Sequence, residues 1–202
     1  EKAEKDREEA LKKKKLKYSI KPGDGAFYGP KIDVHIKDSQ GREWQLATVQ
    51  LDFHMPEAFD LKFVKNDGSF GRPVMIHRAI LGSFERYIGI LIEHYQGAFP
   101  FWLSPVQVTL LPIADKHNVY AREVLNKLTE QGVRVGLDDR SERLQAKIRD
   151  AALQKIPYLG IIGDKEIDKN SISLRTREGK DLGNLGFSQF LQKVKEEIDK
   201  KV

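Results

Sequence analysis

No cysteine occurs among the 202 residues. Disulfides are therefore excluded, and so is every Cys-based zinc site built from this chain alone. No apolar run approaches the roughly 20 residues that a membrane helix needs. A glycine-rich phosphate loop is missing too, although the chain holds 16 glycines. No defensible Ser/His/Asp arrangement and no glycosidase-like carboxylate pair can be set up, which argues against covalent hydrolase chemistry. Residues 1–17 are charged and form no signal peptide, so nothing directs the chain out of the cytosol, and a cytoplasmic location without membrane partners is expected.

What is present has the balance of a globular protein: 40% hydrophobic and 32% charged residues, enough apolar material for one large core or two ordinary ones. The net charge of +5 is a moderate basic excess, compatible with a polyanionic partner without requiring one. The charged amino end is a surface helix with a thin apolar stripe (Ala3, Ala10, Leu11). Glu1/Lys5, Glu8/Lys12 and Glu9/Lys13 have the favourable i,i+4 order. Starting without a cap or a core, it reads as the middle of a domain.

The chain is organised around residues 73–94. Val74 to Leu81 is extended, Gly82 and Ser83 break the strand, and Ser83 caps a helix in which Phe84, Tyr87, Ile88, Leu91 and Ile92 recur at helical spacing. Such a strand-to-helix turn leaves backbone N–H groups suited to a polar ligand. Upstream, Ile32 to Lys37 alternates as a strand, and Ser39-Gln-Gly-Arg42 turns it back into Glu43 to Phe53. Thr48, Gln50 and Asp52 share one face of that strand. Ala47, Val49, Leu51 and Phe53 occupy the other, the expected core side. A row of Thr and Gln reads either as a solvent-facing sheet or as the floor of a polar pocket. With Leu61 to Val64, residues 26–81 make four antiparallel strands. His77, Ser83 and Arg86 read as a satisfied histidine, a cap and a salt-bridger, or as site residues beside Tyr28, Lys31, Gln45, Thr48 and Gln50.

Gln96 to Pro105 is a linker. Beyond it the order βαβαββα predicts a mixed sheet covered by helices. Helices are expected over 115–131, over 141–155 behind a Ser141 cap, and from a Ser188 cap onward. The fold class is thus α+β: an antiparallel sheet in residues 1–103, then an α/β domain over 104–202.

The string Pro73-Val-Met-Ile-His-Arg-Ala-Ile-Leu-Gly-Ser-Phe-Glu-Arg86 closely resembles motif 3 of the class II aminoacyl-tRNA synthetases, in its threonyl-tRNA synthetase form. The likeness extends through Ala26 to Asp33, Glu43 to Phe53 and on to the last residues. It implies the C-terminal part of that family's catalytic domain, with motif 3 at about 73–95, followed by its anticodon-binding domain. It also implies ATP-dependent activation of L-threonine, with ATP and Mg as substrate, and transfer to tRNA-Thr. By the resemblance Arg86 grips ATP. Gln45, Thr48 and Ser83 line the nucleotide and amino-acid pocket, with Tyr28, Lys31 and Gln50 around threonine. Arg86, Lys31 and Gln45 are the residues implied closest to the chemistry.

His77 matches one of three zinc ligands. The other two, like motif 1 (through which the family dimerises), the motif 2 arginine and the editing domain, lie upstream of Glu1 in the family. The zinc site is therefore expected to be incomplete and this piece inactive alone. Gln45-Leu46-Ala47-Thr48 departs from a family pattern with Cys-Gly in the middle, a small change of pocket wall. Glu166 and Arg175 are the implied anticodon readers, with Arg140, Arg143, Lys147, Arg149 and Lys180 as candidate phosphate contacts. A non-catalytic RNA-binding module using only the second domain is the alternative.

Overall fold

A computed structural model describes residues 2–201. Glu1, and with it the Glu1/Lys5 pair, lies outside the described residues, as does the side chain of Ala3. The chain divides into two compact units, Glu1–Glu93 and His94–Val202.

In the first unit, α1 (Lys2–Lys13) carries the expected Glu8–Lys12 ion pair at 2.7 Å. Strands β1 (Lys31–Lys37), β2 (Glu43–Asp52) and β5 (Met75–Ala79) form an antiparallel sheet in the order β1-β2-β5. The expectation of four strands in one sheet needs correction. β3 (Phe63–Val64) and β4 (Phe70–Gly71) form a separate two-stranded ladder. Lys65 N–H donates to Ser69 O at 2.8 Å and closes the hairpin on itself, while β5 takes the free edge of β2. Between β2 and β3 the chain makes a short helix, α2 (His54–Ala58).

One irregularity shapes the sheet. Val34 pairs with Ala47 but His35 pairs with Gln45, so Leu46 is an extra residue on β2, a β-bulge. Strict alternation would put Gln45 and Thr48 on opposite faces. The bulge flips the parity, and Gln45 joins Thr48 and Gln50 on one side. Gly82, at φ +68°, lies against the bulge: a Cβ there would come within 3.0 Å of Leu46 O.

The expected core side of β2 also needs correction. Leu46 and Asp52 are its buried residues, Ala47, Val49 and Leu51 are half-buried, and Phe53 is exposed. Among the described residues no helix packs broadly on this sheet. Val34 and Ile76, on the apolar face, are 51% and 62% exposed. α3 (Phe84–Tyr95) buries Ile90 and leaves the Phe84, Ile88, Ile92 stripe in solvent, where a covered stripe was expected.

The second unit is closed on itself. Its five-stranded sheet has the order β10-β9-β8-β6-β7, from β6 (Val108–Pro112), β7 (Val135–Leu137), β8 (Tyr158–Ile162), β9 (Ser171–Thr176) and β10 (Asp181–Gly186). β6 runs parallel to β7 and β8; β9 is antiparallel to β8 and β10, so the sheet is mixed. α4 (Asn118–Glu130) and α7 (Phe187–Lys200) bring Val124, Leu128, Phe190 and Val194 into a cluster with Val108, Leu110, Ile172 and Leu174. α5 (Leu144–Leu153) contributes Ala151 to a second cluster with Leu111, Ile156 and Leu159.

Two elements exceed the expected βαβαββα order: the short helix α6 (Asp164–Asp168) and strand β10. α5 starts at Leu144 behind Arg143 rather than at a Ser141 cap, and α7 starts behind Gly186 rather than Ser188. The chain before α4 turns through a 3-10 segment, Asp115–His117, where one continuous helix was expected.

Candidate functional site

The polar face of the first sheet carries three hydrogen-bonded groups side by side. Asp33, on β1, is the hub of the largest. Its Oδ1 accepts from Gln45 Nε2 at 2.8 Å and from Thr48 Oγ1 at 2.6 Å, and its Oδ2 lies 2.9 Å from Lys31 Nζ. Burial pushes the Asp33 carboxyl up, but the Thr48 and Lys31 contacts outweigh it and hold the group below its ordinary value. Lys31 is shifted upward, chiefly by the same contact.

Next along the face, Tyr28 Oη donates to Gln50 Oε1 at 2.9 Å. Tyr28 reaches it because residues 28–30 run along β2, with Leu51 N–H bonded to Pro30 O and Phe53 N–H to Tyr28 O. That approach requires Gly29, since a Cβ there would stand 2.1 Å from Leu51 O. His77 pairs with Gln50 across the sheet, lies edge-on to the Tyr28 ring at 6.1 Å, and places Nε2 2.8 Å from Asp52 Oδ2. Asp52 also accepts the N–H groups of His54 and Met55. Burial raises its pKa, while those donors and His77 bring it below its ordinary value.

Tyr28, Lys31, Gln45, Thr48, Gln50 and His77 thus share one face. Ser83 and Arg86 stand outside these groups. Ser83 Oγ accepts the Arg86 N–H at 3.3 Å and caps α3. The Arg86 guanidinium donates to Gln45 O at 3.3 Å and lies 5.5 Å over the Trp44 ring. Trp44 pairs with Ile36, on the face opposite the Gln45 side chain. Asp33 and Asp52 were not among the candidates from sequence, although strand alternation alone puts each on the polar side.

Zinc does not fit the residues present. Among the described residues no group of three His, Cys, Asp or Glu side chains is placed to hold a metal. His77 has one ring nitrogen engaged by Asp52, and a catalytic zinc takes about three protein ligands.

In the second unit, Glu166 is buried in the β8–α6 corner. Its Oε2 accepts Gly163 N–H at 2.9 Å and its Oε1 accepts Asn184 Nδ2 at 3.0 Å. Arg175 lies on β9 between Leu159 and Asp181, half-buried, with Nε enclosed and unbonded among the described residues. The candidate phosphate contacts fare unevenly. Lys147 is 3% exposed and donates to Pro112 O at 3.0 Å, so it is a core lysine rather than a surface one. Arg140 is held by Asp138 and Asp150, and Arg149 also pairs with Asp150.

Comparison with known proteins agrees with this division. Residues 4–95 match the tRNA synthetase class II core domain (G, H, P, S and T), and residues 107–197 match the anticodon binding domain. The chain therefore joins part of a class II aminoacyl-tRNA synthetase core to an anticodon-binding domain. Its sequence is 56% identical over 193 residues to the threonine–tRNA ligase of Carboxydothermus hydrogenoformans, covering 96% of this chain and 30% of that protein. It is 55% identical over 189 residues to that of Caldanaerobacter subterraneus, covering 94% and 29%.

A crystal structure of the RNA binding domain of threonyl-tRNA synthetase from Cryptosporidium parvum Iowa II superposes with a TM-score of 0.87 at 38% identity, over 96% of this chain and 50% of that one. The chain belongs to the threonyl-tRNA synthetase family and corresponds to a C-terminal portion of it. It spans about 30% of the length of these ligases. No helix of the described residues is long and apolar enough to cross a membrane.

Proposed function

We propose that this chain supplies one wall of the amino-acid activation site and the anticodon-binding domain of a cytoplasmic threonine–tRNA ligase. In that reaction the threonine carboxylate attacks the α-phosphorus of ATP, supplied with Mg, and pyrophosphate leaves; a hydroxyl at the 3′ end of tRNA-Thr then takes the threonyl group from the resulting adenylate and AMP leaves. The reaction needs cations at the phosphates and neutral polar groups that hold the nucleophile in line, and it needs no side-chain nucleophile. Lys31 is the cation on the polar face; Arg86, which stands over Trp44, is taken as the second on the family resemblance alone. Gln45, Thr48, Gln50 and Tyr28 orient the substrates, and Ser83 holds the turn that presents Arg86. Glu166 and Arg175 take the anticodon role, Arg175 through a side chain able to pair with or stack on an unstacked base. A zinc ion would draw on His77 only with ligands from outside this chain, and the homodimer of the intact enzyme likewise involves other segments.

The observation that carries this reading is the convergence of six polar side chains, from three strands and the segment before the first of them, on one sheet face. Threonine-dependent exchange of pyrophosphate into ATP tests it in the full-length protein that carries this segment. The expected result is exchange with threonine and far less with valine, which lacks the hydroxyl; equal exchange with both contradicts it. A second reading, an RNA-binding module without catalysis, is favoured by the self-contained core of the second unit. It predicts salt-sensitive tRNA binding with no exchange under any condition.

A further inference from the structure

We propose that Asp33 is the positioning residue of the activation site: it fixes the direction in which Gln45 and Thr48 present their hydrogen-bonding groups and holds Lys31 in place. This inference rests on the reading above.

An ionised carboxylate accepts and cannot donate. With Oδ1 taking both Gln45 Nε2 and Thr48 Oγ1, the Gln45 amide must turn its Nε2 inward, leaving Oε1 as its outward group. The Thr48 hydroxyl spends its proton on Asp33 and keeps only lone pairs for a ligand. That stretch of the face therefore offers chiefly acceptors, with one N–H of the Gln45 amide to spare, and it favours N–H or O–H groups of the substrates over phosphate oxygens. Oδ2 meanwhile tethers the Lys31 ammonium at 2.9 Å, with Asp24 a distant 3.9 Å away. The Asp33 side chain is 12% exposed, so it acts through these three neighbours and offers little surface to a ligand itself. An asparagine in its place cannot serve them all: whichever way its amide turns, an N–H faces either Lys31 or the Gln45/Thr48 pair. The bulge at Leu46 brings Gln45 within reach of the same oxygen, so network and bulge form one device.

The test is threonine-dependent ATP–pyrophosphate exchange in the full-length protein, with wild type, D33N, T48V, T48S and the D33N/T48V double variant. D33N is expected to keep the wild-type thermal midpoint within a few degrees and to lose about 10- to 100-fold in kcat/KM, the usual cost of removing an orienting partner. T48S, which keeps the donor, should lose less than T48V. The double variant should lose less than the product of the two single losses, because both remove one contact. D33N within twofold of wild type overturns the inference while the functional reading stands. If D33N fails to fold, T48S falling as far as T48V overturns it instead. No exchange by wild type removes the reading and the inference together.

Discussion

In residues 94–202 both faces of the sheet are sealed, by Val124, Leu128 and Phe190 on one side and by Ala151 and Ile156 on the other. In residues 1–93 neither face is. One carries the Asp33 network and the other leaves Val34, Ile76 and Ile80 in water. The difference separates two ways of holding a fold. The second unit is held by burial, the dominant favourable term in folding, and its buried polar groups, Gln107 and Lys147 among them, are hydrogen-bonded inside it. The first is held by ladder hydrogen bonds, a bulge and the hydrogen-bonded carboxylates of Asp33 and Asp52, and in the function proposed above the Asp33 carboxylate also arranges the groups that meet substrate. A sheet whose polar face is already hydrogen-bonded needs little rearrangement to meet a ligand.

The comparison breaks first on the cores. Phe190→Ala should cost about 3–5 kcal/mol, because the ring is fully buried, while Ile76→Ala should stay within about 0.5 kcal/mol. Urea denaturation followed by circular dichroism measures both, and similar costs would erase the distinction. A smaller loss, about 1–3 kcal/mol by the usual cost of overpacking, is expected for Gly29→Ala, whose Cβ meets Leu51 O. It should also weaken exchange activity through Tyr28, and an active, undisturbed variant would show that the 28–30 segment does not depend on that approach.

Titration sharpens the contrast from the alkaline side. Burial, with the Glu197 hydrogen bond, pushes the Tyr158 hydroxyl up to about 12 from an ordinary 10. The folded state keeps its proton where the unfolded chain has lost it, so stability of the second unit falls as pH rises from about 10 to about 12. Tyrosine absorbance recorded alongside unfolding should show this in wild type and lose it in Tyr158→Phe. The smallest effect has the opposite sign. Gly89 is exposed within α3, and a Cβ there would meet nothing within 4 Å, so its change to alanine should gain about 0.5–1 kcal/mol. A thermal midpoint that rises checks it.

Much of this was readable in the residues. Alternation in Ile32 to Lys37 marked β1 and put Asp33 on the polar side, and the resemblance named the six side chains that share the face. The bulge was not readable, because it is a property of pairing: nothing in Gln45-Leu46-Ala47-Thr48 says that Leu46 is skipped by β1. For the same reason the Gln45 parity came out wrong from alternation alone. β10, Asp-Leu-Gly-Asn-Leu-Gly, has poor strand propensity and exists through its partner β9. The buried Lys147 looked like a surface cation because charge says nothing about which helix face meets the sheet. The bare stripe of Phe84, Ile88 and Ile92 shows the converse, since periodicity marks an apolar face whether or not anything covers it.

The division of labour between the two units is tested most directly by amide hydrogen exchange of the full-length protein with and without substrates. With threonine and ATP the account predicts slower exchange in residues 31–37, 43–52 and 75–79 and no change in 108–112, 158–162 and 171–176. Protection confined to the second set, or absent from the first, would contradict it.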